Sequence, residues 1–141
     1  MYAIVSNILD IVNISQAQNI NIVSVYGTLA SYEKLYEVLQ VSKDTNQYKI
    51  THFGSAILKD YKKYNVLNEV YPGVIKSKGG DVFGSLIYGL TPKDFELLDE
   101  YEGDEYERNK AKVIFEDKLI DIQFYEWIDD HSKLVPHIQL Q

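Results

Sequence analysis

The chain has 141 residues, 45% of them hydrophobic, and its 14 basic and 21 acidic side chains leave a net charge of -7. This length and charge density fit one globular core and exclude the disordered class, and no run approaches the ~20 apolar residues of a transmembrane helix. The acidic balance argues against a nucleic-acid partner, which needs a basic face, and the lack of cysteine excludes disulfides, a thiol nucleophile and a thiolate zinc site.

Residues 1–20 are apolar in patches (Ile4, Val5, Ile8, Leu9, Ile11, Val12) and carry Asp10 but no Lys or Arg. They read as an N-terminal extension, since a secretory signal wants a basic start and a mitochondrial presequence wants arginines. A cytoplasmic protein without membrane contact is therefore expected. Ile22 to Tyr26 is a short β-branched strand halted by Gly27, and Ser31 to Gln40 sets Leu35, Val38 and Leu39 at helical spacing. Tyr48 to Tyr64 reads as several β-rich pieces interrupted at Gly54. Val70 to Ile75 is a strand edge or turn, because Pro72 removes a ladder donor. Lys78-Gly79-Gly80-Asp81 reads as a flexible turn, and Val82 to Tyr88 as a buried strand in which Gly84 marks a bulge or a close approach.

The next helix is the best specified element. Thr91 is an N-cap, Pro92 suits the first helical position, and Asp94 follows the cap by three residues. Phe95, Leu98 and Tyr101 or Glu102 recur on one face, and Gly103 stops the helix. Tyr106 to Phe115 and Leu119 to Trp127 then form a hairpin about Glu116-Asp117. Beyond Trp127 the chain turns polar. The expected division is an extension over residues 1–20, one α+β domain over 21–130 with a mixed, curved sheet, and a C-terminal tail over 131–141.

Two places could carry chemistry. A glycine directly after a strand, at Tyr26-Gly27-Thr28-Leu29, lets successive backbone N–H groups converge on a carboxylate or phosphate. The same sequence also fits an ordinary tight turn, and it lacks the lysine of a P-loop. The second place is Glu102, one of eight carboxylates between Asp94 and Glu107. In the last helical turn, on the side of Phe95 and Leu98, it meets apolar surface and the negative helix end. Both raise its pKa toward that of a general base at neutral pH; such a carboxylate can also simply face solvent. His52, His131 and His137 match no zinc spacing and the acidic run no calcium loop, so no metal is expected. Ser24, Ser55 and Ser85 lack a nucleophile elbow. Tyr125 fits either the core or a ligand platform and is kept as a substrate-binding candidate.

Tyr26-Gly27-Thr28-Leu29, Val70-Tyr71-Pro72-Gly73-Val74, Val82-Phe83-Gly84-Ser85-Leu86 and Leu98-Asp99-Glu100-Tyr101-Glu102-Gly103 before Tyr106-Glu107-Arg108 occur in one order. In this the chain resembles the gamma-glutamylcyclotransferase-like superfamily, and most closely its plant avirulence-induced (AIG-type) branch, over about residues 22–128. The resemblance implies a small mixed β-barrel or curved sheet flanked by short helices. It also implies a cofactor-independent acyltransferase-type cyclisation that converts a γ-glutamyl amine or amide to 5-oxoproline and free amine. By the same resemblance, Tyr26, Gly27, Thr28 and Leu29 bind the substrate and Glu102 is the catalytic acid/base. The chain lacks the extra asparagine typical of enzymes acting on γ-glutamyl dipeptides, and Ala30-Ser31-Tyr32-Glu33 stand where γ-glutamylamine enzymes often carry basic or glycine residues. The alternatives are a non-catalytic binding or interaction module on the same fold and a γ-glutamyl acyltransferase. The expected partner is a small γ-glutamyl molecule, with no nucleic acid.

Overall fold

The computed structural model describes residues 22–27, 29, 31–40 and 51–136. The extension expected over residues 1–20, the loop residue Thr28 and the last five residues lie outside these. The described chain runs through β1 (Ile22–Val25), α1 (Tyr32–Leu39), β2 (Thr51–Val66), β3 (Pro72–Tyr88), α2 (Pro92–Glu102), β4 (Tyr106–Phe115) and β5 (Lys118–Trp127). A 3-10 turn at His131–Lys133 leads into β6 (Leu134–Pro136). Among the described residues no helix is long and apolar enough to cross a membrane.

The strand order is β3-β1-β5-β4-β2, and β2 returns to pair with β3, which closes five strands into a barrel. Among the described strands only β1 and β5 run parallel; the other neighbours are antiparallel. This is the α+β mixed barrel with two flanking helices expected from the sequence.

β1 shows how the layers divide. Alternate residues of a strand face opposite sides, and here both sides are apolar, which explains the unbroken run Ile22-Val23. Ile22 enters the barrel interior with Leu58, Leu86, Ile122 and Phe124. Val23 and Val25 face the other way, onto Leu35 and Leu39 of α1 and Phe95 and Leu98 of α2. Each such fully buried side chain contributes ~1.5–3 kcal/mol of transfer free energy. The two helices thus lie on one flank of the barrel, beside β1 and β5.

α2 is fixed at both ends by its own sequence. The Asp94 N–H donates to Thr91 Oγ1 at 3.2 Å and the Thr91 N–H donates to Asp94 Oδ2 at 2.8 Å, a reciprocal cap. At the other end the Gly103 N–H donates to the Asp99 carbonyl at 3.0 Å. Glu102 is therefore the last residue of the helix. The β4–β5 hairpin turns on Glu116 and Asp117 at φ 48° and 63°, the two left-handed residues that a tight hairpin needs.

Three expectations are corrected. The β-rich pieces read between Tyr48 and Tyr64 are, in their described part, one strand, β2, which absorbs Gly54 and Asp60 as register shifts against β3. Lys78 to Asp81 is not a free turn but a bulge inside β3. Lys59 pairs with Asp81 and Tyr61 with Lys76, so β3 carries the extra residues. The Gly79 N–H is held by Asp60 Oδ1 at 2.9 Å, and a Cβ on Gly80 would lie 2.3 Å from the Tyr61 carbonyl oxygen, which reserves that position for glycine. Finally, the segment read as a polar tail from residue 131 contributes β6, whose Leu134 to Pro136 pair with Tyr64 to Val66 of β2.

Candidate active site

The carboxyl ends of the parallel neighbours β1 and β5 lie side by side, the kind of position at which α/β sheets bind ligands. A cavity of about 330 Å³ opens there, within the ~300–1,000 Å³ usual for small-molecule sites. Its wall combines the end of β1 and the loop after it, the start of β3, the end of α2, the start of β4 and Tyr125 near the end of β5.

Glu102 reaches this cavity because Gly103 ends α2 directly behind it. Burial pushes its carboxyl from 4.5 to about 7, since an apolar surrounding penalises the charged form. The group is thereby balanced between its two protonation states near neutral pH.

Tyr26 lines the same cavity, and its ring lies on Gly84 of β3. A Cβ at position 84 would come within 2.4 Å of Tyr26 Cε1 and 2.7 Å of Ser24 Oγ, so the close approach expected at this glycine is the seat of the Tyr26 ring. Burial pushes the Tyr26 phenol up to about 12, with the neighbouring Ser24 hydroxyl pulling the other way.

The remaining polar groups tie the wall together. The Tyr125 hydroxyl donates to Asp99 Oδ1 at 2.7 Å. Arg108 lies 3.6 Å from the other Asp99 oxygen and stacks over the Phe95 ring at 4.5 Å. Burial, and then Asp99, drives the Tyr125 phenol well above its ordinary value. Tyr106 donates to the Pro72 carbonyl at 2.6 Å and meets Trp127 edge-on at 5.3 Å. Burial and the nearby Glu102 raise its phenol too. Tyr71 donates to Glu105 Oε1 at 3.1 Å. Tyr101 is exposed at the rim, with Lys34 of α1 over its ring at 5.4 Å.

Of the residues singled out from the sequence, Tyr26, Gly27, Leu29, Glu102 and Tyr125 all line this cavity, and Thr28 lies outside the described residues. The sequence reading did not assign Tyr71, Pro72, Tyr101, Glu105 or Tyr106 to the site, although they line it as well. The signal that could have found Tyr71 and Tyr106 is the tyrosine excess itself, 12 in 141 residues. Glu105 had no such signal: it lies past the helix stop, where the Tyr106 N–H closes a turn onto the Gly103 carbonyl.

Over residues 23–140 the sequence matches the family described as gamma-glutamyl cyclotransferase, AIG2-like. The AIG2-like protein D of Arabidopsis thaliana is 30% identical over 108 residues, which cover 74% of this chain and 66% of that protein. The chain thus spans slightly under two thirds of that relative's length. A solution structure of another Arabidopsis thaliana protein is 27% identical with a TM-score of 0.66, over 84% of this chain and 77% of that one. A gamma-glutamyl cyclotransferase structure, 19% identical, shares the fold with a TM-score of 0.61 over 77% of this chain and 66% of that one.

Proposed function

The chain belongs to the gamma-glutamyl cyclotransferase, AIG2-like family, and from that premise we propose that it cyclises a γ-glutamyl amine or amide to 5-oxoproline and releases the free amine. Glu102 is the general acid/base of this reaction. The single observation that carries the reading is a carboxyl group in a cavity wall whose pKa burial brings to about 7, the range in which one group can both take and return a proton at neutral pH.

Glu102 takes a proton from the substrate's α-ammonium group. The freed amine attacks the γ-carbonyl carbon of the same molecule, forming the ring C–N bond and a tetrahedral oxyanion. As that intermediate collapses, the bond to the departing nitrogen breaks and Glu102 returns the proton to it. The ring nitrogen still carries one surplus proton at that point. The ionised Glu102 takes it and passes it to the departing amine, so the substrate's one positive charge leaves on the amine as an ammonium and no water is consumed. Nucleophile and electrophile belong to one molecule, so the protein has only to hold the folded conformer and move the proton, and such positioning is worth ~7–11 kcal/mol. The backbone at Tyr26, Gly27, Thr28 and Leu29 receives the α-carboxylate through its N–H groups, and Tyr125 closes the wall on the substrate.

The test is 5-oxoproline release, monitored by mass spectrometry, from a panel of γ-glutamyl amines, γ-glutamyl dipeptides and glutathione. Glu102→Gln is expected to lower turnover at least ~100-fold, the usual contribution of a positioned acid/base, with an unchanged circular dichroism spectrum. Undiminished turnover in that variant overturns the assignment. A new amide in place of the ring product would identify an acyltransferase, and binding of 5-oxoproline without turnover of any substrate a binding module.

A further inference from the structure

Hydroxyl orientation gives the cavity a polarity that its composition alone does not. Tyr71, Tyr106 and Tyr125 each have one donor proton, and each directs it into the wall: to Glu105, to the Pro72 carbonyl and to Asp99. Their phenol oxygens keep only lone pairs for a ligand. Glu102 and Glu105 add two carboxyl groups, and no Lys, Arg, His, Asn or Gln is found among the described residues that line the cavity. The Ser24 and Tyr26 hydroxyls sit together at the β1 end. Away from that end, and Tyr101 at the exposed edge apart, the polar side chains of the wall present mainly hydrogen-bond acceptors.

Such a wall favours a donor-rich, positively charged group. A leaving group with a carboxylate, as in a γ-glutamyl dipeptide, would meet lone pairs and negative charge with its own oxygens unpaired. Glu105 is suited to pair with a cation. Its Oε1 accepts from Tyr71 at 3.1 Å, while its Oε2 makes a long ion pair with Lys133 Nζ at 4.0 Å, beyond hydrogen-bond reach. Lys133 is instead bound to Asp129 at 2.5 Å. The Glu105 carboxyl is thus oriented by a tyrosine and retains accepting capacity toward the cavity.

Resting on the reading of this site as γ-glutamyl-cyclising, we infer that the amine released carries a second protonated nitrogen, as a diamine or polyamine does, and that Glu105, oriented by Tyr71, pairs with it. The test compares ring release from the γ-glutamyl conjugates of diaminobutane and of pentylamine, which differ by an ammonium in place of a terminal methyl. The diamine conjugate is expected to have a kcat/KM about tenfold or more higher, the strength of one charge-assisted hydrogen bond, and Glu105→Gln is expected to collapse that ratio. Equal kcat/KM values in the unsubstituted protein overturn the inference. If neither conjugate is cyclised, it is the cyclisation reading that fails, and isothermal titration with diaminobutane judges the cation site. Binding that Glu105→Gln weakens about tenfold supports the site; no binding, or binding indifferent to the substitution, overturns it.

Discussion

Glu102→Gln keeps the side chain's shape and deletes its charge, and the expected result is a more stable protein with its stability redistributed across pH. In the folded protein burial raises this carboxyl from 4.5 to about 7. Between those values the native state holds a proton that the unfolded chain has released, so stability falls as the pH rises through that window and levels off above it. Below about pH 4 both states are protonated and the group contributes nothing. At about 1.36 kcal/mol per pH unit, an ionised Glu102 costs the native state ~3 kcal/mol above neutrality. The glutamine variant removes that cost. Its expected advantage is ~2–3 kcal/mol at about pH 8, or roughly 6–12 °C in Tm for a domain of this size, shrinking to near zero at about pH 4. Urea unfolding of both proteins across this range measures it directly. If the difference between them is the same at both ends of the range, Glu102 is solvated and the argument for its raised pKa fails, along with its fitness as a base.

Two further outcomes are expected. The kcat/KM for 5-oxoproline release should fall tenfold per pH unit below about 7, because protonated Glu102 cannot accept the substrate's proton; a profile flat across about pH 5.5–8 would count against the base assignment. Gly84→Ala places a methyl 2.4 Å from the Tyr26 ring and should cost ~1–3 kcal/mol by overpacking, with turnover reduced as Tyr26 is displaced. Thermal melting and steady-state rates of that variant check it, and an unaltered Tm would show that β1 and β3 can part at no cost.

What could be read from the sequence was local. α2 was legible to the residue because Thr91, Pro92, Asp94 and Gly103 act within one or two turns of themselves, and they also placed Glu102 at its end. The β4–β5 hairpin was legible for the same reason. The bulge in β3 was not: Gly79-Gly80 has the chemistry of a free turn, and only the pairing of Lys59 and Tyr61 across on β2 decides otherwise. β6 was missed because three residues have no period to detect, and their strand conformation is set by the facing edge of β2. In the cavity, Glu102 and the Tyr26 loop could be found from local pattern. Tyr71 and Glu105 arrive only through barrel closure, which joins residues 34 positions apart in one hydrogen bond.

The slot that β1 fills has a kinetic consequence. β2 with β3, and β4 with β5, are antiparallel neighbours close in sequence and can zip early, whereas Ser24 of β1 pairs with Phe124, a hundred positions later. Non-local pairing waits on the entropy of closing so long a loop, which makes β1 the strand expected to enter last. Its arrival brings Tyr26, Gly27 and Leu29 to the other walls of the cavity. A chain with both hairpins formed but β1 still outside would be nearly folded and yet unable to bind. A cavity ligand therefore bears on the final step of assembly, and it is expected to slow the departure of β1.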